Sequence, residues 1–187
     1  MGDNMKWLSR EYLVEDLKVA TKAKAGLCNV SLIAFGVMFE LVAKYVKDMQ
    51  DEIELWENGR RITIGVLPQG PYITVEKVEG GFVYHGTGKK ESDLSILFKN
   101  FDSAILIFTG QIGAHSAVAE NRVIIYGDNS KAMQVTRAMS LVQTYLFPAI
   151  ILNNTFKRPP KLGIKQIGLK LKIMGLMTAR LPLVINK

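Results

Sequence analysis

Between Arg61 and His85 the chain alternates apolar and polar residues in three short runs, and that period of two commits the segment to a sheet. The runs are Arg61-Ile62-Thr63-Ile64-Gly65-Val66, Tyr72-Ile73-Thr74-Val75-Glu76-Lys77-Val78 and Phe82-Val83-Tyr84-His85. Pro68-Gln69-Gly70-Pro71, Glu79-Gly80-Gly81 and Gly86-Thr87-Gly88 separate or close them, so they read as an antiparallel meander. Asp93-Leu94-Ser95-Ile96-Leu97-Phe98 reads as a fourth strand, and Arg122-Val123-Ile124-Ile125-Tyr126-Gly127-Asp128 as a fifth that ends in a turn. Phe101 to Phe108, between them, is too apolar for a surface helix, and Ala114 to Ala119 is a short helix of small residues. Ser130 to Phe147 follows as a long amphipathic helix. The pattern predicts an α+β fold, a mostly antiparallel five-stranded sheet covered by helices, with one strand–helix–strand crossover.

Residues 7 to 58 read as helical. Leu13, Leu17, Val19, Ala20 and Ala23 fall roughly at helical spacing, Gly26 is placed to end that helix, and Asn29 or Ser31 to cap a second one running toward Trp56. The apolar run Leu27 to Val46 is interrupted by Asn29, Glu40 and Lys44. Its uninterrupted part is far below the ~20 residues of a membrane span, so it reads as a buried helix. Beyond Pro159-Pro160, Ile167, Leu169, Leu171 and Ile173 alternate with Gly168, Lys170 and Lys172, which favours an extended or mixed tail. The competing helix carries Gly163, Gly168 and Gly175, each costing roughly 1 kcal/mol. The chain divides accordingly into an N-terminal helical extension (1–28), a central domain (29–147) and a basic, apolar C-terminal extension (148–187).

Charge is concentrated in the last part. Pro148 to Lys187 holds 8 of the 24 basic residues and none of the 17 acidic ones, leaving 16 basic against 17 acidic elsewhere. Any electrostatic partner argument therefore belongs to the tail. A single cysteine, Cys28, excludes an intramolecular disulfide framework and a cysteine-based zinc site, which points to a reducing compartment. The first residues lack the basic-then-apolar pattern of a signal peptide, and Lys6 stands where a myristoylation motif wants Ser or Thr. A cytoplasmic protein, or one peripheral at a membrane, is expected.

Reactive groups are sparse. His85 and His115 are the only histidines, and neither lies in a metal-ligand pattern. Asp128-Asn129-Ser130 reads as a helix N-cap. Gly86-Thr87-Gly88-Lys89-Lys90 lacks P-loop spacing, and Ser116 lacks the glycine setting of a hydrolase nucleophile. No catalytic residues, metal or cofactor are assigned, and the chain reads as non-enzymatic.

From Ser92 to Met133 the succession of strand, apolar helix ending near Thr109-Gly110, the Ala114-His115-Ser116-Ala117-Val118-Ala119 helix, a basic-apolar strand, a Gly127-Asp128 turn and an Ala132-Met133 helix start resembles the sterol-carrier-protein family. The resemblance extends over about 100 to 115 residues, up to Phe147. Members of that family bind sterols, fatty acids, acyl thioesters or isoprenoid lipids in a tunnel between sheet and helices. The resemblance implies the same here, with an apolar lipid as partner. The candidate lining is Ile105, Leu106, Phe108, Ile112, Ala117, Val118, Met133, Met139, Val142 and Leu146, with His115 as a head-group contact. Apolar lining and adaptable methionines suit such a ligand, although the same residues at the same spacing also pack a core.

The tail has two open readings. In one, Lys161, Lys165, Lys170 and Lys172 meet an anionic membrane surface while neighbouring apolar residues dip in. In the other, the tail folds back over the domain. Nucleic acid is not expected, since Phe156 is the tail's only aromatic residue. The competing functional class is a structural or interaction module with a filled core, dimerising through Leu32 to Tyr45 or docking through its helices or tail. An enzyme acting on acyl or isoprenoid substrates would require His115 or Asp128 to face the pocket.

Overall fold

The computed structural model describes residues 10–155 and 162–185, with side chains from Thr21 onward, Asn154 excepted. The elements are α1 (Arg10–Tyr45), α2 (Lys47–Ile53), β1 (Arg61–Val66), β2 (Tyr72–Val78), β3 (Gly81–Thr87), β4 (Leu94–Phe98), α3 (Phe101–Phe108), α4 (Ala114–Ala119), β5 (Val123–Tyr126), α5 (Asn129–Leu146), α6 (Ala149–Thr155) and α7 (Ile164–Ile185).

The sheet runs β3-β2-β1-β4-β5 and is antiparallel except between β1 and β4. This is the expected α+β architecture. The helical connection through α3 and α4 joins the antiparallel neighbours β4 and β5. The parallel pair arises because the chain returns from edge strand β3 across β2 and β1 to start β4. Alternation sorts the two faces. Ile62, Ile64 and Val66 pair in register with Val75, Ile73 and Leu94, Ile96, Phe98 to make one apolar face. The opposite face is polar: Thr63 and Thr74 hydroxyls lie 3.2 Å apart, and Glu76 binds Arg61 at 2.8 Å and His85 at 2.9 Å.

Helix α1 lies across the apolar face, against β1, β2 and β3. Gly36 permits the approach, because a Cβ there would stand 2.5 Å from the ring of Tyr84. An edge-to-face aromatic chain then runs through the layer: Trp56, Phe82, Phe39, Phe35, Phe108 and Phe98, with successive centroids 5.4 to 6.0 Å apart. Helix α5 packs on α1, α2, α4 and β4, capped at its start by Asp128, whose Oδ1 accepts from the N–H groups of Ser130 and Lys131.

Two local expectations fail. Gly26 does not end a helix, since α1 continues through it and through residues 28 and 29 to Tyr45. One glycine costs about 1 kcal/mol, less than the gain from burying Leu32, Phe35 and Phe39 on the same continuous helix. The tail is not extended either. It forms α7, which packs along α1 and against the end of α5. Lys172 sits over the Tyr45 ring and Arg180 pairs with Glu40 at 2.7 Å, so the two helices run antiparallel.

Thr21 to Tyr45 is long and apolar enough, by length and composition, to cross a membrane; 56% of its most apolar window is buried inside the protein, where it packs on the sheet.

Candidate functional site

The chain's chemistry-poor, apolar half converges where α3, α4 and α5 meet α1. Asn100 caps α3 by accepting from the Ser103 N–H at 2.8 Å, and Lys24 on α1 reaches Asp102 at 2.6 Å. Cys28 on α1 is buried beside the Phe101 carbonyl; burial, with Asp102 adding to it, pushes its thiol up to about 11. Gln143 of α5 bridges the neighbouring helices from inside. Its Oε1 accepts from the Ala114 N–H at 3.0 Å, and its Nε2 donates toward the Ile107 carbonyl at 3.4 Å.

At the outer edge of this junction is an open cleft of about 210 Å³, lined by Ser31 and Ala34 of α1, Phe108 of α3, and Leu146 and Phe147 at the end of α5. The aromatic chain reaches it at Phe108. Leu27 and Val30, both about half exposed, continue the apolar surface along the preceding turn of α1. The structure therefore brings Phe108 and Leu146, of the ten sequence-predicted lining residues, to one cleft. Ala117, Met139 and Val142 lie in the packed core, and Ile105, Leu106, Ile112 and Val118 are half-buried around it. Met133 is 42% exposed on the far end of α5. His115 is exposed on α4 and does not line the cleft. Sequence reasoning missed Ser31, Ala34 and Phe147. The small residues at i and i+3 on an otherwise bulky helix were the available signal, but only tertiary structure opposes them to Phe108.

Two segments close over this end of the molecule. Helix α6 lies on the end of α3, where a Cβ on Gly110 would meet Ile151 at 2.2 Å, and the Thr155 hydroxyl donates to the Gly110 carbonyl. Helix α7 is held by Lys170, which is buried. Its ammonium donates to the Thr144 carbonyl at 2.7 Å and to that of Phe147, two open acceptors at the C-terminus of α5. Burial lowers its pKa from the usual lysine value. Lys170 is thus no free surface charge, contrary to its expected place at a membrane. Lys165 and Lys172 are exposed, and Lys161 lies outside the described residues.

Two larger clefts have different linings. One, of about 420 Å³, is edged by Gln50, Asp51, Glu54, Asn58, Lys77 and Glu79. The other, about 480 Å³, lies between α1, the β2–β3 turn and α7, with Glu40, Lys44, Glu79 and Arg180 on its walls. The first is edged mostly by polar and charged groups, whereas the second also has Leu41, Tyr45, Phe82 and Leu176 on its walls, and its Glu40 and Arg180 pair with each other. Among the described residues no group of three or more His, Cys, Asp or Glu stands close enough to hold a metal. Asp128 is occupied as a helix cap.

No protein-family model and no curated protein sequence matches this chain. Among solved structures, it resembles sterol carrier proteins. A crystal structure of sterol carrier protein 2 matches at 13% identity and TM-score 0.46, over 60% of this chain and 94% of that one. The apo form of sterol carrier protein 2 from Yarrowia lipolytica matches at 15% identity and TM-score 0.42, over 58% and 88%. A ubiquinone synthesis protein, UbiJ-SCP2, matches at 11% and 0.39, over 67% and 96%. With TM-scores below 0.5, these likenesses assign no residue and no ligand to the cleft.

Proposed function

We propose that this protein binds an apolar lipid, such as a fatty acyl, sterol-like or isoprenoid molecule, without chemically transforming it. The observation that carries the reading is the cleft of Ser31, Ala34, Phe108, Leu146 and Phe147, which opens onto exposed Leu27 and Val30. At about 210 Å³ it is smaller than the roughly 300–1,000 Å³ of ordinary small-molecule pockets. It takes one segment of a chain, and the rest lies along the exposed Leu27 and Val30 of α1. Each buried methylene contributes about 0.8 kcal/mol, so an alkyl segment is held without directional polar contacts.

Native mass spectrometry of the freshly purified full chain, followed by solvent extraction, tests this. A bound lipid of defined mass is expected, and Ala34→Trp, which fills the cleft, abolishes its retention while leaving the thermal midpoint near wild type. A clean apo mass with no uptake of offered fatty acids or isoprenoids overturns the reading and leaves the interaction-module alternative.

A further inference from the structure

Helix α7 has two apolar faces. Ile173 and the partly buried Leu169, Leu176, Met177 and Val184 turn inward, together with the buried Lys170. On the opposite side Ile164, Ile167 and Leu171 stand 90%, 48% and 66% exposed, with Gly168 and Gly175 between and after them. Their spacing of three, four and seven places them on one stripe. Isolated exposed apolar residues are ordinary, but a stripe of them is not. Lys165 and Lys172 lie along it, and Lys44 of α1 is exposed and, like Lys172, approaches the Tyr45 ring. The helix contains no acidic residue, nor does any of the sequence from Pro148 to Lys187.

We infer that this outer face of α7 docks the protein on an anionic lipid bilayer, with Ile164, Ile167 and Leu171 at the acyl boundary and Lys165, Lys172 and Lys44 among the head groups. Charge decides between a bilayer and a second copy of the chain. A two-fold contact through α7 would bring lysines against lysines with no carboxylate on either helix to meet them. A bilayer with anionic head groups offers the complementary charge and an apolar layer at the right depth. The inference does not depend on what the cleft holds.

Vesicle co-sedimentation of the full chain tests it, using phosphatidylcholine vesicles with or without phosphatidylglycerol. Binding is expected only to the anionic vesicles and weakens as salt rises. Lys165→Gln and Lys172→Gln are expected to weaken it about fivefold each, the equivalent of about 1 kcal/mol per surface lysine. Ile164→Glu with Leu171→Glu, both exposed and so tolerated by the fold, abolishes binding with an unchanged circular dichroism spectrum. Equal binding to neutral vesicles, or anionic binding untouched by these substitutions, overturns the inference. So does the absence of vesicle binding, and a dimer that Leu171→Glu dissolves would then assign the face to a second copy.

Discussion

Phe108 is the residue on which packing and the candidate site depend together. It links two rings of the aromatic chain, touching Phe35 and Phe98 edge-on at centroid distances of 6.0 and 5.5 Å, and it is also a wall of the cleft. Phe108→Ala removes both contacts. A fully enclosed phenylalanine truncated to alanine costs about 3–5 kcal/mol, and the two edge-to-face pairs lie within that figure. Here the void opens into a cleft that solvent already reaches, and the side chain is 9% exposed, so the loss belongs at the lower end, about 3 kcal/mol. Urea denaturation should show a lower midpoint at unchanged slope. The same substitution enlarges the cleft, so added fatty acid should raise the variant's midpoint by more than it raises the wild type's. A loss below about 1 kcal/mol would refute the reasoning, because it would mean that Phe108 is not part of the packed layer. Lipid that stabilises both proteins equally would remove Phe108 from the cleft's wall.

Lys170→Met keeps the apolar stem but removes the ammonium that Thr144 and Phe147 share. The loss of charge-assisted hydrogen bonds, less the relief of unburying a charge, is about 2 kcal/mol, and hydrogen exchange should show α7 amides losing protection first, whereas Lys165→Gln leaves them unchanged. Cys28, with its thiol raised to about 11 by burial, should resist alkylation at neutral pH in the folded protein and react at the rate of a free thiol once denatured. Glu76 is held below the ordinary carboxylate range, first by its hydrogen bond from Arg61. Its contribution to stability is present above the unfolded carboxyl value of about 4.3 and is lost as pH falls through the lower folded value. The stability difference between wild type and Glu76→Gln, followed by denaturation across acid pH, should therefore close as pH falls.

The parts of this fold legible in the sequence are those fixed by local chemistry. The strands are announced by period two and bounded by Gly and Pro turns, and β2 occupies the expected Tyr72–Val78. Asp128 caps α5 because its carboxylate needs only the N–H groups two and three residues on. The misreadings have a shared origin in tertiary contacts that sequence spacing does not encode. Gly26 carries a local cost that the burial of a later stretch of α1 outweighs. In the tail, the alternation of Ile167, Leu169, Leu171 and Ile173 imitates a strand because two apolar helix faces are interleaved. Residues 167 and 171 form one face, and 169 and 173 the other. The candidate lining residues lie on α3, α4, the loop between them and α5, where the apolar surplus is visible in the sequence. Three of the five cleft residues, Ser31, Ala34 and Phe147, come from positions that look unremarkable until α1 is laid against the ends of α3 and α5.

That arrangement constrains where a lipid can go. The layer between α1 and the sheet is occupied from Trp56 to Phe98 by rings in mutual contact, and the proposed cleft lies on the helical side, beyond Phe108. There the boundary is set by chain ends rather than by the sheet: Phe147 closes α5, α6 lies on Gly110, and Lys170 holds the Phe147 carbonyl from α7. A residue of the cleft is thus also one of the points at which α7 is attached. The membrane face and the lipid cleft are inferred from separate observations, and the buried Lys170 ammonium is one contact between the helix that carries the first and the residue at the edge of the second.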